Sequence, residues 1–334
     1  MTELPSRQLL WLSSRQNPYA GGVPNWVVES LRAAFPQLHI AVGWDDDMAS
    51  PEIEVCEILV SWTLQPGQFA RARKLRWIHS PAAGVTQLLF AALVESDVVV
   101  TNATTVHSVP VAEQAVALLF ALARRLRDCF EYQAERRWGQ AESWKPERIP
   151  TELNGTTLGL LGFGAIGREV AARAKGLGMT VAAVKRDPSR GAELADRVYS
   201  PPQLLALLEE ADYVVLAAPG TPETRHLIGE AELRRMKPTA SLINVCRGSL
   251  VDTAALVRAL ESGWIAGAAL DVTDPEPLPP EHPLWKLPNV IITPHLAGAT
   301  DRLWPRQADL LQENLRRYLA GEPLLNLVDK KRGY

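Results

Sequence analysis

The run Thr157-Leu-Gly-Leu-Leu-Gly162-Phe163-Gly164-Ala165-Ile166-Gly167 constrains this chain more than any other stretch. An apolar run without glycine simply continues as strand or helix; this one has to turn. Gly162 permits a tight strand-to-helix turn, Gly164 removes a Cβ that would block a pyrophosphate, and Gly167 lets the new helix lie close on the sheet. Residues 168–178 read as that helix, whose first N–H groups and dipole favour an anion. A second strand, residues 179–184, follows on schedule. Glycine-rich turns are common, so the bare pattern carries little. Strand, turn, helix and strand in this order point to dinucleotide binding, with residues Gly162, Phe163, Gly164, Ala165, Ile166 and Gly167 around the phosphates.

A chain of 334 residues is long enough for about two domains. With 47% apolar and 22% charged residues it can bury a sizeable core. A net charge of −3 gives no reason to expect nucleic acid or an acidic membrane surface. The start, Met1-Thr-Glu-Leu-Pro5, lacks the basic and apolar regions of a signal sequence. The longest all-apolar run, 115–123, is shorter than the roughly 20 residues a bilayer needs. Cys56, Cys129 and Cys246 form neither a disulfide framework nor a metal-ligand spacing, so no metal and a cytoplasmic setting are expected. On its own, Cys246 reads as a small buried apolar residue.

The first hundred residues alternate strand-like runs (9–12, 38–42, 57–61, 75–79, 97–101) with helical patterns such as 25–34 and 86–94. That is βαβ organisation and predicts a parallel sheet. Residues 109–126 have apolar positions at helical spacing. The charged segment 124–148, with Trp138 and Trp144, reads as a projecting arm. From residue 157 a second alternation brings six apolar strands: 157–161, 179–184, 212–218, 241–245, 265–270 and 289–293. Such continuous runs are what a doubly wound sheet buried on both faces requires. Residues 301–319 are again helical and free to return to the first domain.

Ligands of such sheets bind beyond the carboxyl ends of the strands. Three polar sites lie there: Arg247 in Asn244-Val-Cys-Arg247-Gly248, Glu276 in Asp271-Val-Thr-Asp-Pro-Glu276, and His295 in Thr293-Pro-His295. Each alone has a bland reading: a solvated or ion-paired arginine, an exposed loop glutamate, a satisfied turn histidine. All three at strand ends of one dinucleotide sheet read as chemistry.

These motifs, with Ser80-Pro-Ala-Ala-Gly-Val85, His282-Pro-Leu-Trp285 and the 314–329 tail, resemble the D-2-hydroxyacid dehydrogenase family, its glyoxylate/hydroxypyruvate reductases in particular, over nearly the whole chain. The resemblance implies two doubly wound α/β domains. Residues 1–104 plus 297–334 would form a flavodoxin-like substrate domain. Residues 105–296 would form a Rossmann cofactor domain with a dimerisation helix and arm at 105–150. It also implies a homodimer and hydride transfer from NAD(P)H to a small 2-keto acid. Arg247 would bind the substrate carboxylate bidentately and polarise the ketone, and His295 would donate the proton. Glu276 would fix the imidazole tautomer and stabilise the imidazolium. Backbone N–H groups at Ala83, Gly84 and Val85 would hold the carboxylate. Asp271 would accept from the nicotinamide amide, with further cofactor contacts at Ala218, Pro219, Thr224, Cys246, His295 and Gly298.

NAD enzymes place an acid about 20 residues past the glycine turn to bind ribose hydroxyls. Here Lys185 stands in the position of the family's aspartate, with Arg186 beside it and Arg190 close behind. The run suits a 2′-phosphate and favours NADP(H). Asp187 as the ribose acid, and hence NAD(H), is the alternative. Trp62, Thr63 and Trp304 are candidates for shaping the substrate pocket. The chief rival function is a non-catalytic, NAD(P)-sensing corepressor-like protein of the same fold, which turnover distinguishes. A formate-type dehydrogenase would carry Gln at position 276.

Overall fold

A computed structural model describes residues 7–13, 22–187, 191 and 193–334. The readings made for Met1 to Pro5 and for Arg190 lie outside these residues. The chain divides into two compact units, Met1–His107 with Ala299–Tyr334, and Ser108–Gly298.

The first unit holds five strands: β1 (Arg7–Ser13), β2 (Leu38–Trp44), β3 (Ile58–Ser61), β4 (Trp77–His79) and β5 (Val99–Thr101). They pair in parallel in the order β2-β1-β3-β4-β5, the flavodoxin-like arrangement. Successive side chains point to opposite faces. Leu9 and Trp11 therefore join one core with Val27, Val28 and Leu31 of the Asn25–Ala34 helix and with Ala308, Leu311 and Leu315 of the Leu303–Ala320 helix. Leu10 and Leu12 join the other, with Ile53, Leu88 and Leu93. The C-terminal helix thus supplies one face of the first sheet. Its Asn314, fully buried, fixes the tail by accepting from Leu325 N (2.7 Å).

Two helices depart from their residue patterns. Of residues 86–94 only Ala91–Val94 is helical, because Phe90 is extended (φ −94°, ψ 159°). The Gln87 amide, moreover, is committed to Trp62 O and Gly84 O. The helix read at 109–126 spans Thr104–Ala123 and runs through Pro110. An Asx turn leads into it: Asn102 Oδ1 accepts from Thr104 N at 3.1 Å. Left-handed Arg125 (φ 54°) then separates it from the Leu126–Ala134 helix. The Thr104–Ala123 helix has the length and composition of a bilayer span. In the fold its Ala112, Ala115, Leu118 and Leu119 pack into the core of the second unit.

That unit carries β6 (Thr157–Leu161), β7 (Thr180–Val184), β8 (Arg197–Tyr199), β9 (Tyr213–Leu216), β10 (Ser241–Asn244), β11 (Gly267–Leu270) and β12 (Val290–Ile292). All pair in parallel, in the order β12-β11-β10-β9-β6-β7-β8. Counted from β6 this is the Rossmann order 3-2-1-4-5-6 with a seventh strand added. The residue pattern shows six strands and misses β8. As an edge strand of three residues, β8 needs no continuous apolar run.

One buried group sets a pH dependence. His79 is 1% exposed and its Nδ1 pairs with Thr101 Oγ1 at 2.8 Å, the hydroxyl that also accepts from Trp77 Nε1. Burial lowers its pKa to about 4. The unfolded chain takes up this proton near pH 6.5 and the folded chain does not, so stability falls as pH drops from about 6.5 towards 4. Between pH 7 and pH 5 the wild type should lose about 2 kcal/mol more than His79→Leu in urea unfolding. Equal losses would remove His79 from this role.

Candidate active site

Because every strand of the second sheet is parallel, the loops after β6, β7, β9, β10, β11 and β12 all leave from one edge. The β6 loop shows why its glycines are needed. Gly162 has φ 102°, and a Cβ there would stand 2.5 Å from Ala217 O. A Cβ at Gly167 would stand 2.4 Å from Gly162 O, so the Ala165–Gly176 helix could not seat. At Gly164, the helix N-cap, nothing lies within 4 Å of a Cβ position. This bare backbone at a helix N-terminus fits a pyrophosphate. Phe163 and Ile166 turn their side chains into the core, leaving only their backbone for a ligand.

At the end of β7, Lys185 is half-buried and Arg186 exposed. The Lys185 Nζ and Arg168 Nη1 converge on Gly191, 3.3 and 3.6 Å from where its Cβ would be. Arg168, directly after Gly167, was not singled out in the sequence; only the fold brings it beside Lys185. Arg186 contributes its charge to lowering the Glu223 carboxyl, after the larger effect of the Thr221 hydrogen bond. Asp187 is exposed.

After β9, the Ala217 to Gly220 loop is closed by Thr224, whose hydroxyl donates to Pro219 O at 2.7 Å. The Thr224 side chain therefore holds the loop carrying Ala218 and Pro219. A Cβ on Gly220 would stand 2.9 Å from Arg247 Cγ, so this glycine makes room for the arginine.

After β10, the buried Asn244 shapes the turn. Its Oδ1 accepts from Cys246 N (3.1 Å) and its Nδ2 donates to Arg247 O (2.9 Å). The Cys246 thiol points inward to Leu216 O, and burial pushes its pKa up to about 12, so it is inert. Arg247 donates to Cys246 O at 2.7 Å. Among the described residues no carboxylate lies within ion-pair distance of it, which disposes of the bland ion-pair reading. Gly248 is obligatory, since a Cβ would collide with Thr273 O at 1.9 Å. The loops bearing Arg247 and Glu276 are thereby pressed together.

After β11 and β12 come Glu276 and His295, joined through Oε1 and Nδ1 at 2.5 Å. Burial raises the Glu276 pKa, but the hydrogen bond and charge of His295, a backbone donor at Thr273 and the charge of Arg247 outweigh it. The carboxyl is held below its ordinary value, hence ionised at neutral pH. Asp271 is 2% exposed and its carboxylate accepts from Thr293 Oγ1 (2.5 Å), Leu296 N (3.1 Å) and Ala297 N (2.9 Å). The protein engages this carboxylate three times, contacts that the sequence does not disclose. Gly298 ends the unit. Arg247, Glu276 and His295 thus follow three strands adjacent in the sheet, β10, β11 and β12.

In the first unit, the loop after β4 carries Ala83, Gly84 and Val85. Side chains tie back its carbonyls: Asn102 Nδ2 and Thr104 Oγ1 donate to Ala83 O, Gln87 Nε2 to Gly84 O and Gln307 Nε2 to Pro81 O. Among the described residues nothing accepts from the N–H groups of 83–85. Trp62 and Thr63 follow β3, whereas Trp304 packs on Trp11 at 6.2 Å and belongs largely to the core.

A phosphate turn after β6 with an acid–base pair after β11 and β12 defines a dinucleotide-dependent oxidoreductase. Comparison with known proteins narrows this. Residues 116–297 match the family described as D-isomer specific 2-hydroxyacid dehydrogenase, NAD binding domain. A glyoxylate reductase of Korarchaeum cryptofilum is 41% identical over 286 residues, 84% of each chain. Among solved structures, a D-isomer specific 2-hydroxyacid dehydrogenase of Xanthobacter autotrophicus, in complex with NADPH and MES, superimposes with a TM-score of 0.82 at 32% identity, covering 98% of this chain and 100% of that one. An NADPH-dependent glyoxylate/hydroxypyruvate reductase of Sinorhizobium meliloti, with NADP and malonate, gives 0.79 at 28% identity and 98% of each chain. The chain belongs to the D-isomer specific 2-hydroxyacid dehydrogenase family.

Proposed function

We propose that this protein reduces small 2-keto acids, glyoxylate and hydroxypyruvate foremost, to D-2-hydroxy acids with NADPH. One observation carries the reading: an ionised Glu276 clasping His295 at 2.5 Å, with Arg247 after the adjacent strand in ion-pair contact with no carboxylate among the described residues. The names of the similar reductases support the substrate class.

The reduced nicotinamide supplies a hydride. The residues of this chain do the rest. Arg247 grips the substrate carboxylate through two parallel hydrogen bonds and opposes the charge growing on the ketone oxygen. With Nδ1 occupied by Glu276, the imidazole presents the proton at Nε2 to that oxygen. The Ala83, Gly84 and Val85 amides of the first unit are further candidates for holding a carboxylate. Oxidation of NADPH in the presence of a panel of 2-keto acids tests the function. Absence of turnover throughout would favour the rival, a dinucleotide-sensing interaction protein.

The preference for NADPH rests on Lys185 and Arg168 converging beside the glycine turn, with Arg186 next to them. Hydrogen bonds to a charged group contribute about 1.5–3 kcal/mol each, so losing one raises KM for NADPH roughly tenfold to a hundredfold. Solvent and salt reduce this at half-exposed groups. Lys185→Asp should depress kcat/KM for NADPH strongly and spare NADH, measured at fixed ionic strength. A wild type that prefers NADH would return Asp187 to the role of ribose acid.

We further assign a cytoplasmic homodimer built on the Thr104–Ala123 helix and the segment after it, where Phe130, Trp138 and Trp144 are 64%, 87% and 74% exposed. Light scattering should give twice the chain mass of 36.7 kDa, and a monomer would contradict it.

A further inference from the structure

His295 adopts φ 50°, the left-handed region that a residue with a Cβ enters only at a cost. The loop around it has little regular structure to impose that conformation. What surrounds it is a set of hydrogen bonds centred on one buried residue. Asp271 O accepts from His295 N at 2.8 Å. The Asp271 carboxylate accepts from the next two amides, Leu296 N and Ala297 N. Asp271 thus engages three consecutive N–H groups, the first of which it shares with Thr293 O (3.0 Å), before any ligand is considered.

A carboxylate can hold two amides in register only if its own torsion is fixed. Here Thr293 does that: its hydroxyl donates to Asp271 Oδ1 at 2.5 Å. The Thr293 oxygen in turn accepts from Gln114 Nε2 at 3.2 Å, which fixes the direction of the hydroxyl proton. Gln114 stands on the Thr104–Ala123 helix, 179 residues away in sequence. All six residues lie in the second unit.

We infer that Gln114, Thr293 and the buried Asp271 form a hydrogen-bonded relay whose work is to hold His295 in its left-handed conformation, so that its ring meets Glu276 and the substrate oxygen together. Thr293 and Gln114 are positioning residues. The inference rests on the proposed role of His295 as proton donor. It also gives Asp271 a task that does not involve the nicotinamide.

The test is Thr293→Val, nearly the same shape without the hydroxyl, assayed with NADPH and glyoxylate beside Thr293→Ser, Gln114→Leu and the wild type. A loosened His295 loses proton transfer rather than cofactor binding. Thr293→Val should lower kcat about 10- to 100-fold, leave KM for NADPH within about twofold, and raise the solvent deuterium isotope effect on kcat. Gln114→Leu should follow in the same direction by less. Thr293→Ser keeps the donor and should recover most of kcat, which keeps the inference testable if Thr293→Val fails to fold. Full kcat in Thr293→Val, no recovery in Thr293→Ser, or a loss confined to KM for NADPH would each overturn the relay. An inactive wild type would instead overturn the reductase reading on which it stands.

Discussion

Arg247→Ala is expected to lower kcat/KM for 2-keto acid reduction about 10³-fold, roughly 4 kcal/mol of transition-state stabilisation. Two contributions combine in that loss. In the proposed role the guanidinium fork would match the substrate carboxylate with two parallel bonds, and the same charge would face the oxygen that becomes negative. Arg247→Lys keeps the charge but not the planar fork, so it should recover part of the loss, chiefly in kcat, while KM stays high. The ordering follows from the structure. Asn244 fixes the turn, Gly220 leaves room for the side chain, and no carboxylate among the described residues lies within ion-pair distance of it. If alanine retains most of the wild-type kcat/KM, Arg247 is structural and the assignment fails.

Removing the proton donor should be about as costly. A positioned general acid contributes 10²- to 10⁴-fold, and His295→Gln should lose about that in kcat. Glu276→Gln is subtler, because it keeps an acceptor for Nδ1 and removes only the charge. The Glu276 carboxyl is held below its ordinary value by its bond to His295, against the opposing effect of burial. Ionised, it fixes the ring at Nδ1 and leaves Nε2 for proton transfer. Without that charge kcat for reduction should fall about 10-fold, with KM for NADPH within about twofold. The pair is partly exposed, which keeps the loss modest. An unchanged kcat in Glu276→Gln would remove Glu276 from the proton-transfer machinery.

Much of this architecture is legible in the residues because it is imposed locally. Gly162 and Gly167 are forced by contacts within one strand-turn-helix unit, and a buried parallel sheet writes itself as apolar runs. Arg247, Glu276 and His295 could be grouped because the strand-end rule converts sequence position into spatial proximity. What stayed hidden depends on partners far along the chain. Nothing near Arg168 says that it will meet Lys185 across a turn, and Thr293 reads as an ordinary strand-end threonine until Asp271 and Gln114 arrive from elsewhere. The turn into the helix at Thr104 uses Asn102, which lies outside the apolar period. Strand β8 escaped because an edge strand can be short and polar. The basic run at 185–186 is visible in the sequence, but the cation that the fold brings beside Lys185 comes from a helix that the run does not contain.

The chirality of the product is the most direct measure of the catalytic assignment. Hydroxypyruvate incubated with the enzyme and NADPH should yield glycerate of one enantiomer, the D form by which the family is described, since in their proposed roles Arg247 and His295 would fix the carboxylate and the ketone oxygen and leave one face of the carbonyl to the hydride. L-glycerate, a racemate, or consumption of NADPH without glycerate would contradict the site described above.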